Sequence, residues 1–116
     1  MGIYDDIENL NSSLKKNDLP IIKKIVKYQN NFIDKKSLTN IKQFILQLSE
    51  YRKTIKELIK KYERNIFEID KKIVIKKNKN YNLVDDKKHI ENILIQLNTA
   101  NENIKHTLKK IILKIK

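Results

Sequence analysis

Residues 38–77 read LTNIKQFILQLSEYRKTIKELIKKYERNIFEIDKKIVIKK, without a glycine or a proline. Ile41, Leu48, Ile55, Tyr62 and Ile69 recur every seven positions, and so do Ile45, Arg52, Ile59, Ile66 and Ile73. The two rows are offset by alternating steps of four and three, which puts both on one stripe of a helix, as a coiled-coil seam requires. At a rise of ~1.5 Å per residue, such a helix runs for about 50–60 Å. In its first half, Phe44, Tyr51 and Leu58 add a third apolar row, and that wider arc suits a helix with several neighbours. After Tyr62 the third row becomes Asn65 and Lys72, leaving a narrow stripe for one partner. Phe67 and Val74 fall off the stripe.

The partner is the C-terminal stretch. Ile90, Leu97, Ile104 and Ile111 form one row there, and Leu94, Asn101, Leu108 and Ile115 the other. Asp85 and Asp86 suit the positive end of a helix dipole, and Lys109, Lys110, Lys114 and Lys116 suit the negative end, so the helix is expected over about 85–115. The polar, Asn-rich residues from Lys76 to Asn82 form the break, with the tip loop expected over about 78–84. A rival reading pairs Ile73–Ile75 with Tyr81–Val84 as a short β-hairpin, though no Asn-Gly turn lies between them. Two helices of similar length with a short connection fold back antiparallel, bringing Ile66 level with Ile90 and Leu48 with Leu108.

Two shorter helices precede the hairpin. Ile3, Ile7, Leu10 and Leu14 mark an amphipathic helix over about 3–16. Pro20, just after Asp18, opens another over about 19–35, with Ile22, Ile25, Val26, Phe32 and Ile33 on its apolar face. They are long enough to cover only the wide-arc end of the hairpin, where Ile41–Leu58 meets Ile111–Ile115. The expected fold is a single all-α domain over 1–116. It combines an antiparallel long-helix hairpin, coiled-coil-like, with two N-terminal helices that form a helical bundle at its base and leave a projecting arm.

Composition narrows the function. One Gly and one Pro in 116 residues leave little turn chemistry for a β-rich chain. The absence of cysteine removes disulfides, thiolate zinc sites and thiol catalysis, and fits a reducing compartment such as the cytoplasm. No apolar run is long enough for a membrane span, and Asp5, Asp6 and Glu8 are unlike the start of a signal peptide. The formal charge of +12 favours anionic partners. However, its cations are nearly all Lys, with Arg only at Arg52 and Arg64. Abundant Lys, Ile and Asn together also follow from an AT-rich genome, and dedicated nucleic-acid readers use Arg for its bidentate fork.

No catalytic, cofactor or metal site can be assembled from the sequence. The only glycine is Gly2, so there is no phosphate loop, and no HExxH motif occurs. His89 stands four residues after Asp85, which is better read as a helix-start ion pair than as two metal ligands. Arg52 and Asn101 interrupt the seam and are candidates for setting its register, although Arg52 can also reach solvent along its stem. The arm's tip gathers Lys71, Lys72, Lys76, Lys77, Lys79, Lys87 and Lys88 around Tyr81, a candidate partner or phosphate contact whose bland alternative is a solvated end. Lys105, His106, Lys109 and Lys110 make a second basic surface. The sequence thus points to a non-enzymatic structural or interaction protein, binding a protein partner or its own copies through helical faces. The alternative is a basic nucleic-acid-associated protein, such as a ribonucleoprotein or virion component.

Overall fold

The computed structural model describes residues 2–35, 40–76 and 81–115, and within them the chain is all-helical. Four helices follow in order: α1 (Ile3–Leu14), α2 (Pro20–Lys35), α3 (Ile41–Lys76) and α4 (Tyr81–Ile115). Gly2 is the N-cap of α1, and its amide donates to Asp5 Oδ2 at 3.2 Å. Leu19 is the residue before α2, and its carbonyl accepts the Lys23 amide at 3.0 Å. Pro20 takes the first helical position, where its missing N–H costs nothing.

Two cross-links fix the direction of the long pair. Arg52 Nε donates to Asn101 Oδ1 at 3.0 Å, and Lys87 Nζ lies 2.7 Å from Asp70 Oδ1. Position numbers fall on α4 as they rise on α3, so the helices run antiparallel. They share the largest interface in the molecule. α1 packs against both α4 and α2, and α2 closes on α3 through a smaller interface than these. The four helices therefore form a ring in chain order, a helical bundle. The molecule measures 58 × 22 × 19 Å, close to the ~54 Å expected of a helix as long as α3. Its radius of gyration is 17.7 Å, against about 13 Å for a compact chain of this size.

The core lies at one end. Ile7, Leu10 and Leu14 of α1 and Ile22, Ile25 and Phe32 of α2 are buried there. They meet Ile41, Phe44, Leu48, Ile55 and Ile59 of α3 and Leu97, Ala100, Ile104, Leu108 and Ile111 of α4. Each fully buried aliphatic or aromatic side chain contributes about 1.5–3 kcal/mol. A run of rings reinforces the thin α2–α3 contact: Tyr4 stacks on Phe32, Phe32 lies 4.5 Å from Phe44, and Tyr28 stacks on Phe44 at 5.8 Å. Beyond this base, no described residue from Glu63 to Lys72 or from Leu83 to Asn92 is buried.

The structure departs from the sequence expectation in four places. α4 begins at Tyr81, so Tyr81–Val84 belong to a helix and not to a tip loop or a β-hairpin strand. Ile73–Ile75 are helical as well. Leu83 explains the extension, since it sits seven residues before Ile90 in the seam row and is half-buried. Asp85 and Asp86 consequently fall in the second turn of α4, and its first turn holds no acidic residue. The apolar arc expected at Ile111–Ile115 is buried only at Ile111, whereas Leu113 is 72% exposed and Ile112 and Ile115 are also exposed. Ile115 is the last residue of α4, near the level of the start of α3. Finally, α4 buries Ala100 and Thr107, a row outside the expected seam, because α1 packs on that side of it.

Candidate interaction surfaces

The described part of the arm has basic and acidic side chains in equal number, before Lys77 and Lys79 of the tip are added. Residues 63–76 and 81–92 together carry six cationic and six anionic side chains. Residues 1–62 and 93–116 carry eighteen cations against eight anions, and so hold ten of the twelve net charges; Lys77 and Lys79 supply the other two.

Within the arm, the cations named from the sequence are dispersed. Lys71 and Lys72 are exposed, and the Lys71 ammonium lies 4.6 Å from the centre of the Phe67 ring. Lys87 is tied to Asp70 at 2.7 Å and lies 3.9 Å from Glu91. Its hydrogen bond to the Asp70 carboxylate raises its pKa above the ordinary lysine value. Lys88 is exposed on the next position of the helix. Lys76 ends α3 and Tyr81 begins α4, while Lys77 and Lys79 lie outside the described residues. Asp85 and His89 make no ion pair. Instead, Asp86 and His89 face Glu68 and Lys72 across an open groove of about 330 Å³. Among the described residues, no three His, Asp or Glu side chains converge as metal ligands would.

Arg52 and Asn101 are brought together. They were read separately from the sequence, and for Arg52 the solvent-reaching conformation seemed the simpler. The half-buried guanidinium instead donates across the hairpin to the half-buried amide.

The base also holds polar groups that periodicity could not flag. Asn11 is buried and its Nδ2 donates to Asn30 Oδ1 at 2.6 Å. Gln29 is fully buried, and neither end of its amide finds a protein partner among the described residues. On the second basic surface, His106 lies 3.9 Å from Glu102, while nearby Lys114 is drawn away to Asp6 at 2.6 Å, pinning α1 to the end of α4.

No protein-family model, curated protein or solved structure matches this chain. The surfaces must therefore be judged on their own chemistry.

Two adjoining features stand out at the shoulder where the arm leaves the base. An apolar cleft of about 260 Å³ lies between the start of α2, at Leu19–Ile21, and Leu58, Tyr62, Ile93 and Leu97 of the hairpin. Pro20 and Ile21 also border a wider concavity with Lys23, Lys24 and Lys27. These three lysines are exposed and form no ion pair among the described residues. Their spacing puts them on one face of α2, a signal present in the sequence but lost among 24 lysines. No described helix is long and apolar enough to cross a membrane.

Proposed function

We propose that this chain is a non-enzymatic interaction or assembly protein, in which a helical base holds out a coiled-coil-like arm to a protein partner or to another copy of itself. The arm carries the reading. It extends a two-helix apolar seam past its covering helices, leaves Ile66, Ile69 and Ile90 half-buried, and exposes 59% of Phe67. A rod with a half-covered apolar stripe and a net charge of only +2 over residues 63–92 suits association with other helices better than binding to a polyanion. The test is purification from the native source with and without nuclease, beside the same experiment on Phe67→Glu. Protein partners that survive nuclease and are lost from the variant support the reading. Sedimentation over a range of concentrations tests self-association, with Phe67→Glu weakening any oligomer.

The excess of ten positive charges on the base favours a second reading, a basic nucleic-acid-associated protein. Each phosphate contact makes log affinity fall with log salt by roughly 0.7–0.9. If the tip grips phosphates, changing Lys71, Lys72, Lys76, Lys77 and Lys79 to Gln flattens that slope by about three to four units. An unchanged slope moves the contact to the base. No binding near physiological salt ends the reading.

A further inference from the structure

We infer that the shoulder between base and arm is a docking site for an acidic amphipathic segment of a partner protein, with an apolar side chain seated in the Pro20–Tyr62–Ile93 cleft and carboxylates against Lys23, Lys24 and Lys27. This rests on the interaction-protein reading but is independent of whether the arm itself makes contacts.

Both halves of the site share one wall. Pro20 and Ile21 line both the cleft and the lysine-bordered concavity, so the two adjoin and one segment can reach both. The cleft is largely hydrocarbon: Leu58, Ile93 and the Tyr62 ring face the α2 start, and all three are only half-covered. A volume of about 260 Å³ accommodates one or two apolar side chains and is too small for a folded surface.

Charge decides what surrounds those side chains. Lys23, Lys24 and Lys27 form no ion pair among the described residues, and the first turn of α2 contains no acidic residue to offset the positive end of its dipole. Both terms favour carboxylates next to Pro20 and Ile21. Asp18 lines an adjoining groove that shares Lys23 and Lys27, and with Lys15 also beside it the lysines still outnumber this single carboxylate. A nucleic-acid backbone would satisfy the lysines but has nothing to place in an aliphatic cleft. The site also lacks the Arg that phosphate recognition favours. An amphipathic helix laying an apolar row into a groove, with acids along its edge, matches both halves.

The test is panning a displayed random-peptide library against the intact chain, followed by measurement of the enriched peptides on isotope-labelled protein. Enriched peptides carry several Asp or Glu and an apolar pair spaced three or four apart, and they shift the methyl resonances of Leu58, Ile93 and Leu97. Reversing the lysines together (Lys23→Glu, Lys24→Glu, Lys27→Glu) weakens binding roughly tenfold or more, and Lys→Gln at the same positions weakens it by less. All three lysines are exposed, so circular dichroism and the urea midpoint of these variants stay near the parent's. The inference is overturned if no peptide is enriched, if the enriched peptides are not acidic, or if charge reversal leaves affinity unchanged. It is also overturned if shifts appear only on the arm. Displacement of the peptides by oligothymidylate, bound without movement of the cleft methyls, would reassign the lysines to phosphate. None of these failures touches the partner seen by purification with Phe67→Glu, so the two readings fail separately.

Discussion

The base and the arm are built from the same two helices and the same heptad rows, yet they differ in almost every physical respect. In the base, α1 and α2 turn the stripe into a closed core, and Leu48, Ile55, Leu97 and Ile104 are almost wholly removed from water. In the arm, the same rows continue as Ile66, Ile69, Leu83 and Ile90, and each is only half-covered. Charge divides the other way, with ten of the twelve net positive charges on the base and two along residues 63–92. A heptad therefore reports which side of a helix is apolar, and the number of neighbours decides how far that side is dried. Here a two-helix seam leaves each apolar residue open at its edges.

The largest test of this contrast is truncation on either side of the shoulder. Leu97→Ala and Ile59→Ala each cost about 2–5 kcal/mol, because a buried methyl cluster is replaced by a cavity. Ile66→Ala and Ile90→Ala cost on the order of 1 kcal/mol, since water already reaches part of the site and fills the space. Urea unfolding with a common m-value measures all four. Equal costs at Leu97 and Ile66 would break the comparison and show that a second copy covers the arm in solution.

Next in size is Gln29. A fully buried amide with no partner among the described residues loses its hydration without replacement, at about 1–3 kcal/mol for an unsatisfied group. Gln29→Met keeps the length of the side chain and removes the penalty, so the base becomes more stable by a similar amount. A loss of stability on this change would show that the amide is satisfied and that the base contains a polar layer.

These cases mark what was legible in the sequence. The long helices, their antiparallel register and the apolar residues of α1 and most of α2 were readable, because Ile and Leu at steps of three and four carry a strong signal. Gln29 and Asn11 were not readable, since a polar residue on an apolar face is indistinguishable from an edge position until the neighbouring helix is placed. Ala100 and Thr107 were missed for the same reason: small or polar side chains give a weak period, and only the position of α1 makes them interior. The start of α4 was misplaced because Asn82 outweighed Leu83, a seam residue in the same turn. For the surfaces, Arg52 and Asn101 were recognised as unusual, but their pairing needed the hairpin register. At the tip the lysines can be counted along the sequence, whereas the Asp70–Lys87 pair forms only across the hairpin.

The Arg52–Asn101 bond sharpens the comparison further, since it lies at the seam within the base. A double-mutant cycle with Arg52→Ala and Asn101→Ala gives a coupling of about 1 kcal/mol, at the lower end for a hydrogen bond from a charged donor because the pair is half-exposed. Replacing both with Leu restores a continuous apolar seam and retains or raises stability. The cost is register, and the double Leu variant populates additional oligomers or slipped pairings in sedimentation. A zero coupling would return Arg52 to solvent and leave the hydrophobic pattern alone to set the register.

The smallest effect is the pH dependence at Tyr28, where the base again differs from the arm. Tyr28 stacks on Phe44 and meets Tyr51 edge-on at 5.8 Å. Burial, followed by the adjacent Tyr51 phenol, raises its pKa above the ordinary tyrosine value. The folded state therefore holds the phenol proton more tightly than the unfolded chain does. By linkage, this stabilisation is complete below the unfolded-state pKa of about 10 and is lost as pH rises through the higher folded value. Urea midpoints of the parent fall more steeply above about pH 10 than those of Tyr28→Phe, which keeps the ring and removes the titrating group. The two proteins track each other from pH 7 to 9, where Tyr28 is protonated in both states. A divergence in that lower range, or identical alkaline slopes, would show that the ring is hydrated and that α2 is not closed on α3. Because α2 meets α3 through a smaller interface than α1 makes with either of its neighbours, this titration reads whether the cover is shut where it is thin.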